Sequence, residues 1–281
     1  MYKIIKKHAF NAQVILMEVE APRIAKSAKP GQFIMLRVDE QGERIPLTIA
    51  DYNAQAGTVT IIFQIVGKTT TALSNLSQGD FILDFVGPLG TSSDFEGIKN
   101  AAVIGGGLGL AIAYPQAKAL HERGASVDFI AGFRNKDLIF LRDEMKSVSA
   151  RSFITTDDGS AGVKGFVTDV LKSLIEKGAK YDTVIAIGPL VMMKAVSELT
   201  REYGIKTTVS LNPIMIDGTG MCGGCRVTVG GQTKFACVDG PEFDGHLVDF
   251  DEAIARSAMY KKDEAHSAKQ HKCKMEGRLD V

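Results

Sequence analysis

Residues 101–124 read AAVIGGGLGLAIAYPQAKALHERG. An apolar run, Ala101 to Ile104, enters the glycine-rich stretch Gly105-Gly106-Gly107-Leu108-Gly109, and LAIAYPQAKALHERG leaves it. A short apolar run bounded by glycine predicts a buried strand, and the longer stretch after it predicts a helix. Strand, glycine turn and helix in that order let the backbone approach a pyrophosphate at a helix N-terminus. The same turn also serves as a tight connection without a ligand, so its meaning depends on what surrounds it.

Working outward, ASVDFIAGF, ARSFITT and DTVIAIG repeat the strand pattern, with FVTDVLKSLIEKG and VMMKAVSELTREYG as helices. Strands alternating with helices predict a doubly wound parallel sheet over residues 98–210. Gly188-Pro189 ends another strand at the carboxyl edge, where such sheets bind ligands. Arg134 and Asp157-Asp158-Gly159 fall at strand ends as well. Each reads either as solvated surface or as a nucleotide contact. The acidic pair would repel a 2′-phosphate and accept bonds from ribose hydroxyls, which favours NAD(H); Arg134 pulls the other way by offering that phosphate a partner.

Before this unit, VILMEV, QFIMLRV, TVTIIFQIV and FILDFV are separated by Lys29-Pro30-Gly31, Ala56-Gly57 and Gln78-Gly79-Asp80. Short β-rich runs between such turns predict a small antiparallel barrel of roughly six strands within residues 1–97. Arg44-Ile45-Pro46-Leu47-Thr48 lies between two of the runs, where a guanidinium fork and a hydroxyl suit a phosphate and a facing ring. Gly67-Lys68-Thr69-Thr70 reads as the start of a helix whose amides and hydroxyls suit a second phosphate. Taken singly, the first is also a plain surface strand and the second a plain capped turn.

After the sheet, residues 211–281 hold all four cysteines: Cys222, Cys225, Cys237 and Cys273. With Asp217 counted, Asp217-x4-Cys222-x2-Cys225 followed by Cys237 has the spacing of plant-type iron–sulfur ligands, with aspartate in the first place. Gly218, Gly220, Gly223 and Gly224 let a loop wrap closely round sulfur. A structural zinc site uses Cys222-x2-Cys225 equally well, and Asp217 before Gly218 is also ordinary turn chemistry. Cys273, beside His271 in a polar tail, reads as a non-ligand.

Composition limits what the parts can do together. The 281 residues are 45% hydrophobic and 23% charged, which excludes a disordered or fibrous chain. Lys+Arg and Asp+Glu are both 33, so the basic excess of a nucleic-acid binder is missing. The N-terminus MYKIIKKHAF has no apolar signal region. The longest apolar run, Ala101 to Pro115, falls short of the roughly 20 residues that span a bilayer. A cytoplasmic protein without membrane segments is predicted.

In this order (arginine motif in a barrel, glycine-rich βα turn, Gly-Pro turn, cysteine loop), the pieces resemble the ferredoxin-reductase-like family over nearly the whole chain. Within it the layout is similar to the electron-transfer subunits of dihydroorotate dehydrogenase B. It is more similar to the small subunits of NADH-dependent ferredoxin:NADP oxidoreductases, which use one aspartate and three cysteines as ligands. The resemblance implies FAD in the barrel, with Arg44, Pro46, Leu47 and Thr48 at the flavin and its phosphates, and Gly67, Thr69 and Thr70 on the pyrophosphate. It implies NAD(H) at Gly105, Gly107, Gly109, Asp157, Gly188 and Pro189, and a 2Fe-2S cluster on Asp217, Cys222, Cys225 and Cys237. It also implies a larger partner subunit carrying flavin and 4Fe-4S clusters that binds NADP(H) and ferredoxin. Two departures are visible: Leu47 replaces the usual aromatic of the flavin motif, and the family's proline three residues after the last glycine is Ile112 here, with Pro115 following. Service to dihydroorotate oxidation, or a zinc-stabilised nucleotide sensor without redox chemistry, are the competing readings.

Overall fold

The computed structural model describes residues 1–260 together with 263, 264 and 266. Cys273 and His271 lie outside the described residues.

The N-terminal part contributes β1 (Tyr2–Ala9), β2 (Val14–Glu20), α1 (Pro22–Ser27), β3 (Phe33–Arg37), β4 (Ile45–Asn53), β5 (Thr58–Gln64), α2 (Lys68–Asn75), β6 (Phe81–Ile82) and β7 (Asp84–Leu89). Its seven strands form one antiparallel sheet in the order β6-β1-β2-β5-β4-β3-β7, which curls around a core of Ile4, Met17, Ile34, Ile61, Phe63 and Phe85. β1 goes beyond the sequence reading. Lys3 and Lys6 are exposed, Lys7 is half-buried with its ammonium on the Ser74 and Leu76 carbonyls, and only Ile4 is buried, so the strand shows almost no apolar alternation. FILDFV is two strands rather than one, because the chain breaks at Leu83.

The second sheet is built from β8 (Asn100–Gly106), α3 (Gly109–Glu122), β9 (Ser126–Phe133), α4 (Arg142–Ser147), β10 (Arg151–Thr156), β11 (Val163–Lys164), α5 (Val167–Glu176), β12 (Thr183–Ile187), α6 (Leu190–Glu202) and β13 (Thr207–Ser210). The order β11-β10-β9-β8-β12-β13 is parallel throughout. The hydrophobic strands are buried on both faces, with α3 and α4 on one side and α5 and α6 on the other. Pro115 sits inside α3 and does not delay its start, which is at Gly109. Its ring is buried.

The C-terminal part holds the hairpin β14 (Arg226–Val229) and β15 (Gln232–Phe235), then β16 (Glu242–Asp244) and α7 (Phe250–Ser257). β16 returns to the second sheet and pairs antiparallel with β13, so this segment is stitched to the nucleotide-type sheet and makes it mixed. Among the described residues no helix is long and apolar enough to cross a membrane.

Candidate functional site

Three groups of residues singled out above are assembled on three structural units that touch one another. In the barrel, Arg44 lies exposed in the approach to β4, while Pro46, Leu47 and Thr48 are half-buried within the strand. Gly67 caps α2, whose first turn holds Thr69 and Thr70. Thr70 Oγ1 accepts the Val66 and Gly67 amides, both at 3.0 Å, and so fixes the helix entry. The two motifs are brought together by Glu43, whose carboxylate accepts the Thr69 hydroxyl at 3.2 Å and lies 3.9 Å from Lys68 Nζ. Arg44, next in the chain, has no such partner among the described residues. An open guanidinium beside a helix N-terminus suits a pyrophosphate.

In the second sheet the glycines divide into two kinds. A Cβ on Gly105 would stand 2.6 Å from Leu110 Cα, and one on Gly109 would stand 2.2 Å from the Ile187 carbonyl oxygen. These two let the helix sit tightly against its own strand and the next. Gly107 is different: its φ is +54° and a Cβ there would meet nothing within 4 Å. It is therefore the position that faces open space at the mouth of the sheet. Gly188 Cα-side atoms press on Gly106, with a Cβ 3.0 Å from its Cα, so the two glycine turns are in contact. Pro189 caps α6 directly after them. Asp157 follows β10 at the same edge and its amide bonds to the Phe133 carbonyl at 3.0 Å, beside Arg134. The Ser160 hydroxyl and amide hold the Asp158 carboxyl below its ordinary value. The carboxyl edge thus carries one exposed arginine and two exposed aspartates around an open glycine turn.

The cysteine loop folds over β3. Asp217 Oδ1 and Cys222 Sγ lie 3.3 Å apart, and Cys225 Sγ and Cys237 Sγ lie 3.2 Å apart. Among the described residues no three His, Cys, Asp or Glu side chains are gathered around a single point. Two pairs of donors fit two iron atoms better than one tetrahedral zinc. Backbone amides also point at sulfur, from Gly224 to Cys222 at 3.4 Å and from Gly220 to Cys237. Gly218 is at φ +79°, with a Cβ position 2.8 Å from Met35, so only glycine lets the loop lie this close to the barrel. The donor set and its amides therefore fit an iron–sulfur cluster.

Asp217 performs the turn role as well. Its carboxylate accepts the amides of Thr219, Met221 and Cys222 and the Thr219 hydroxyl. Burial alone would raise its pKa, but the Cys222 thiol and the Thr219 and Cys222 donors hold it at about 2. Cys237 behaves in the opposite way: burial first, then the Cys225 thiol, and later the Asp217 charge push its thiol up to about 12. Cationic iron would displace that proton.

Sequence reasoning did not single out Phe33 and Met35. In the ladder Phe33 lies opposite Thr48 and Met35 opposite Pro46, so they flank the flavin-type motif. The same two residues share a buried cluster with Met215, Cys225, Ala236 and Cys237. One strand separates the motif from the cysteines. Nothing in the local sequence marks this, because the contact joins segments far apart in the chain.

The fold and site define a class: reductases in which a flavin-type barrel, a nucleotide-type sheet and an iron–sulfur segment are packed together. Comparison with known proteins agrees. The iron-sulfur cluster binding domain of dihydroorotate dehydrogenase B matches residues 212–249. A protein of Thermotoga maritima named as a homologue of the dihydroorotate dehydrogenase B (NAD(+)) electron transfer subunit is 49% identical over 262 residues, covering 93% of this chain and 92% of that one. An uncharacterized protein of Clostridium beijerinckii is 57% identical over 272 residues, covering 94% and 92%. Among solved structures, a chain of an NADH-dependent reduced ferredoxin-NADP oxidoreductase, studied for flavin-based electron bifurcation, superposes with a TM-score of 0.91 at 47% identity. It covers 96% of this chain and 97% of its own.

The chain belongs to the family of dihydroorotate dehydrogenase B electron-transfer subunits and their homologues. It is an electron-transfer oxidoreductase subunit of the flavin, NAD(H) and iron–sulfur class.

Proposed function

We propose that this chain passes electrons between NAD(H), FAD and a 2Fe-2S cluster, to or from a larger cytoplasmic subunit that carries flavin and 4Fe-4S clusters and handles NADP(H) and ferredoxin. The observation that carries the reading is the shared position of Phe33 and Met35, with the flavin-type motif on one side and Cys225 and Cys237 on the other. When bound, FAD would supply a site that accepts hydride and can give up electrons singly, and the cluster would supply a one-electron site.

The chain's own residues bind and position. Residues 1–97 would hold FAD, with Arg44 and the α2 start at Gly67, Thr69 and Thr70 on the phosphates, and Pro46, Leu47 and Thr48 along the ring. Residues 98–210 would hold the dinucleotide at Gly105, Gly107, Gly109, Gly188 and Pro189, with Asp157 at the ribose. Residues 211–281 would hold the cluster through Asp217, Cys222, Cys225 and Cys237. No acid, base or nucleophile is needed.

The names of the curated relatives favour a second reading, service to a dihydroorotate dehydrogenase. Purifying the chain from its native host with whatever binds it separates the two. A flavin and 4Fe-4S partner that reduces NADP+ supports the first reading, and a dihydroorotate-oxidising partner supports the second.

A further inference from the structure

Glu242, the first residue of β16, reaches into the joint where the three units meet. Its Oε1 accepts the Ser93 hydroxyl at 2.9 Å, from the segment that links the barrel to the second sheet. It also accepts the Gln116 side-chain amide from α3. Gln116 is fully buried, and its own Oε1 has no partner. Gly31 closes the remaining side, since a Cβ there would lie 2.4 Å from Ser93 Oγ and 2.9 Å from Glu242 Oε1.

Among the described residues no cation answers this carboxyl, and only Ser93 and Gln116 act on it besides burial. The charged residues of the same elements lie elsewhere, with His121 and Glu122 exposed at the far end of α3. Lys118 on α3 grips Asp51 at 2.9 Å, Asp94 beside Ser93 accepts the Glu96 amide, and Asp244 on β16 accepts the His246 amide. Lys29, next to Pro30-Gly31, is exposed. An ionised carboxylate set only among neutral donors is costly. A neutral acid has an O–H to give, and a half-turn of the Gln116 amide offers it the oxygen that is otherwise orphaned.

We propose that Glu242 is a positioning residue for electron transfer: as the neutral acid it pins the iron–sulfur segment to the joint at Ser93 and Gln116, and its ionisation loosens that joint. The inference rests on the reading that the barrel and the cysteine loop exchange electrons. Glu242 lies five residues after Cys237, and between them the Gly240 carbonyl takes the Thr91 amide at 2.6 Å. A shift at Glu242 therefore moves the cysteine loop relative to β3. Burial pushes the Glu242 carboxyl up from its ordinary value. A raised acid in the folded state keeps its proton, so the pinning is present at lower pH and is lost as pH rises through the folded value.

The test uses the full chain loaded with FAD and cluster. NADH is oxidised to NAD+, its two electrons reduce FAD, and one of them then reduces the cluster, whose signal is read by rapid-freeze electron paramagnetic resonance. The wild-type rate of cluster reduction should fall about tenfold between mildly acidic and alkaline pH. Glu242→Gln, a fixed neutral mimic, should give a flat profile, and Glu242→Ala a low rate throughout. Amide exchange in residues 90–98 and 110–118, compared with Glu242→Gln at each pH, should rise in the wild type only as pH increases. A Glu242→Gln profile that falls in parallel with the wild type, with equal exchange, overturns the proposal. A wild type whose cluster NADH never reduces overturns the electron-transfer reading instead, and the exchange comparison still decides whether Glu242 pins the joint.

Discussion

Phe33 lies directly opposite Thr48 in the β3–β4 ladder and shares a buried cluster with Cys237. Facing strands stand about 5 Å apart, so a flavin on the Thr48 side and a cluster on the Cys237 side would be separated by little more than one strand. This closeness gives the three units a common purpose, and it sets where substitutions should separate one cofactor from another.

Arg44→Ala should lower FAD occupancy and leave iron in place. The side chain is exposed and without a partner among the described residues, so its loss should change the stability of the flavin-free chain by less than about 0.5 kcal/mol. Loss of a charge-assisted phosphate contact should weaken FAD binding about tenfold or more. Flavin and iron content per chain, measured on one preparation, check this.

The glycine turn predicts two different failures. Gly109→Ala drives a methyl group into the Ile187 carbonyl and should cost on the order of 3 kcal/mol, visible in thermal unfolding. Gly107→Ala meets no neighbour and carries only the left-handed backbone penalty of about 1 kcal/mol. It should fold and show a raised NADH dissociation constant. Equal unfolding temperatures for the two variants would contradict this division of labour.

Wild-type flavin should be reduced faster by NADH than by NADPH, since Asp158 is kept charged by Ser160 and Asp157 stands beside it. Replacing both aspartates with alanine should narrow the preference by about tenfold. A wild type that prefers NADPH would mean that Arg134 governs the edge.

Asp217→Cys should keep the cluster and shift its potential, because thiolate donates more strongly than carboxylate. Asp217→Ala should make it labile, and both variants should bind FAD normally. Redox titration with iron analysis reads these outcomes. Unchanged potential and spectrum in both variants would leave Asp217 with its turn role alone, as acceptor of the Thr219 and Met221 donors.

Much of this molecule was legible where function and local sequence coincide. The β8 turn, the cysteine spacing and the alternation of strands and helices are local patterns; the structure has a strand and a helix on either side of the first and an irregular loop at the second. β1 was not legible, since a strand with three lysines and only Ile4 buried has no period to read. The different duties of Gly107 and Gly109 depend on Ile187, nearly eighty residues away. Phe33, Met35 and Glu242 matter only through partners that the topology supplies, so no motif announces them.

One measurement tests the central claim most directly. The chain, loaded with FAD and iron–sulfur cluster and kept without oxygen, is titrated with NADH while its absorbance and its electron paramagnetic resonance spectrum are followed. The account predicts bleaching of the flavin bands together with the signal of a reduced 2Fe-2S centre. Flavin that bleaches with no such signal, however much NADH is added, would contradict it.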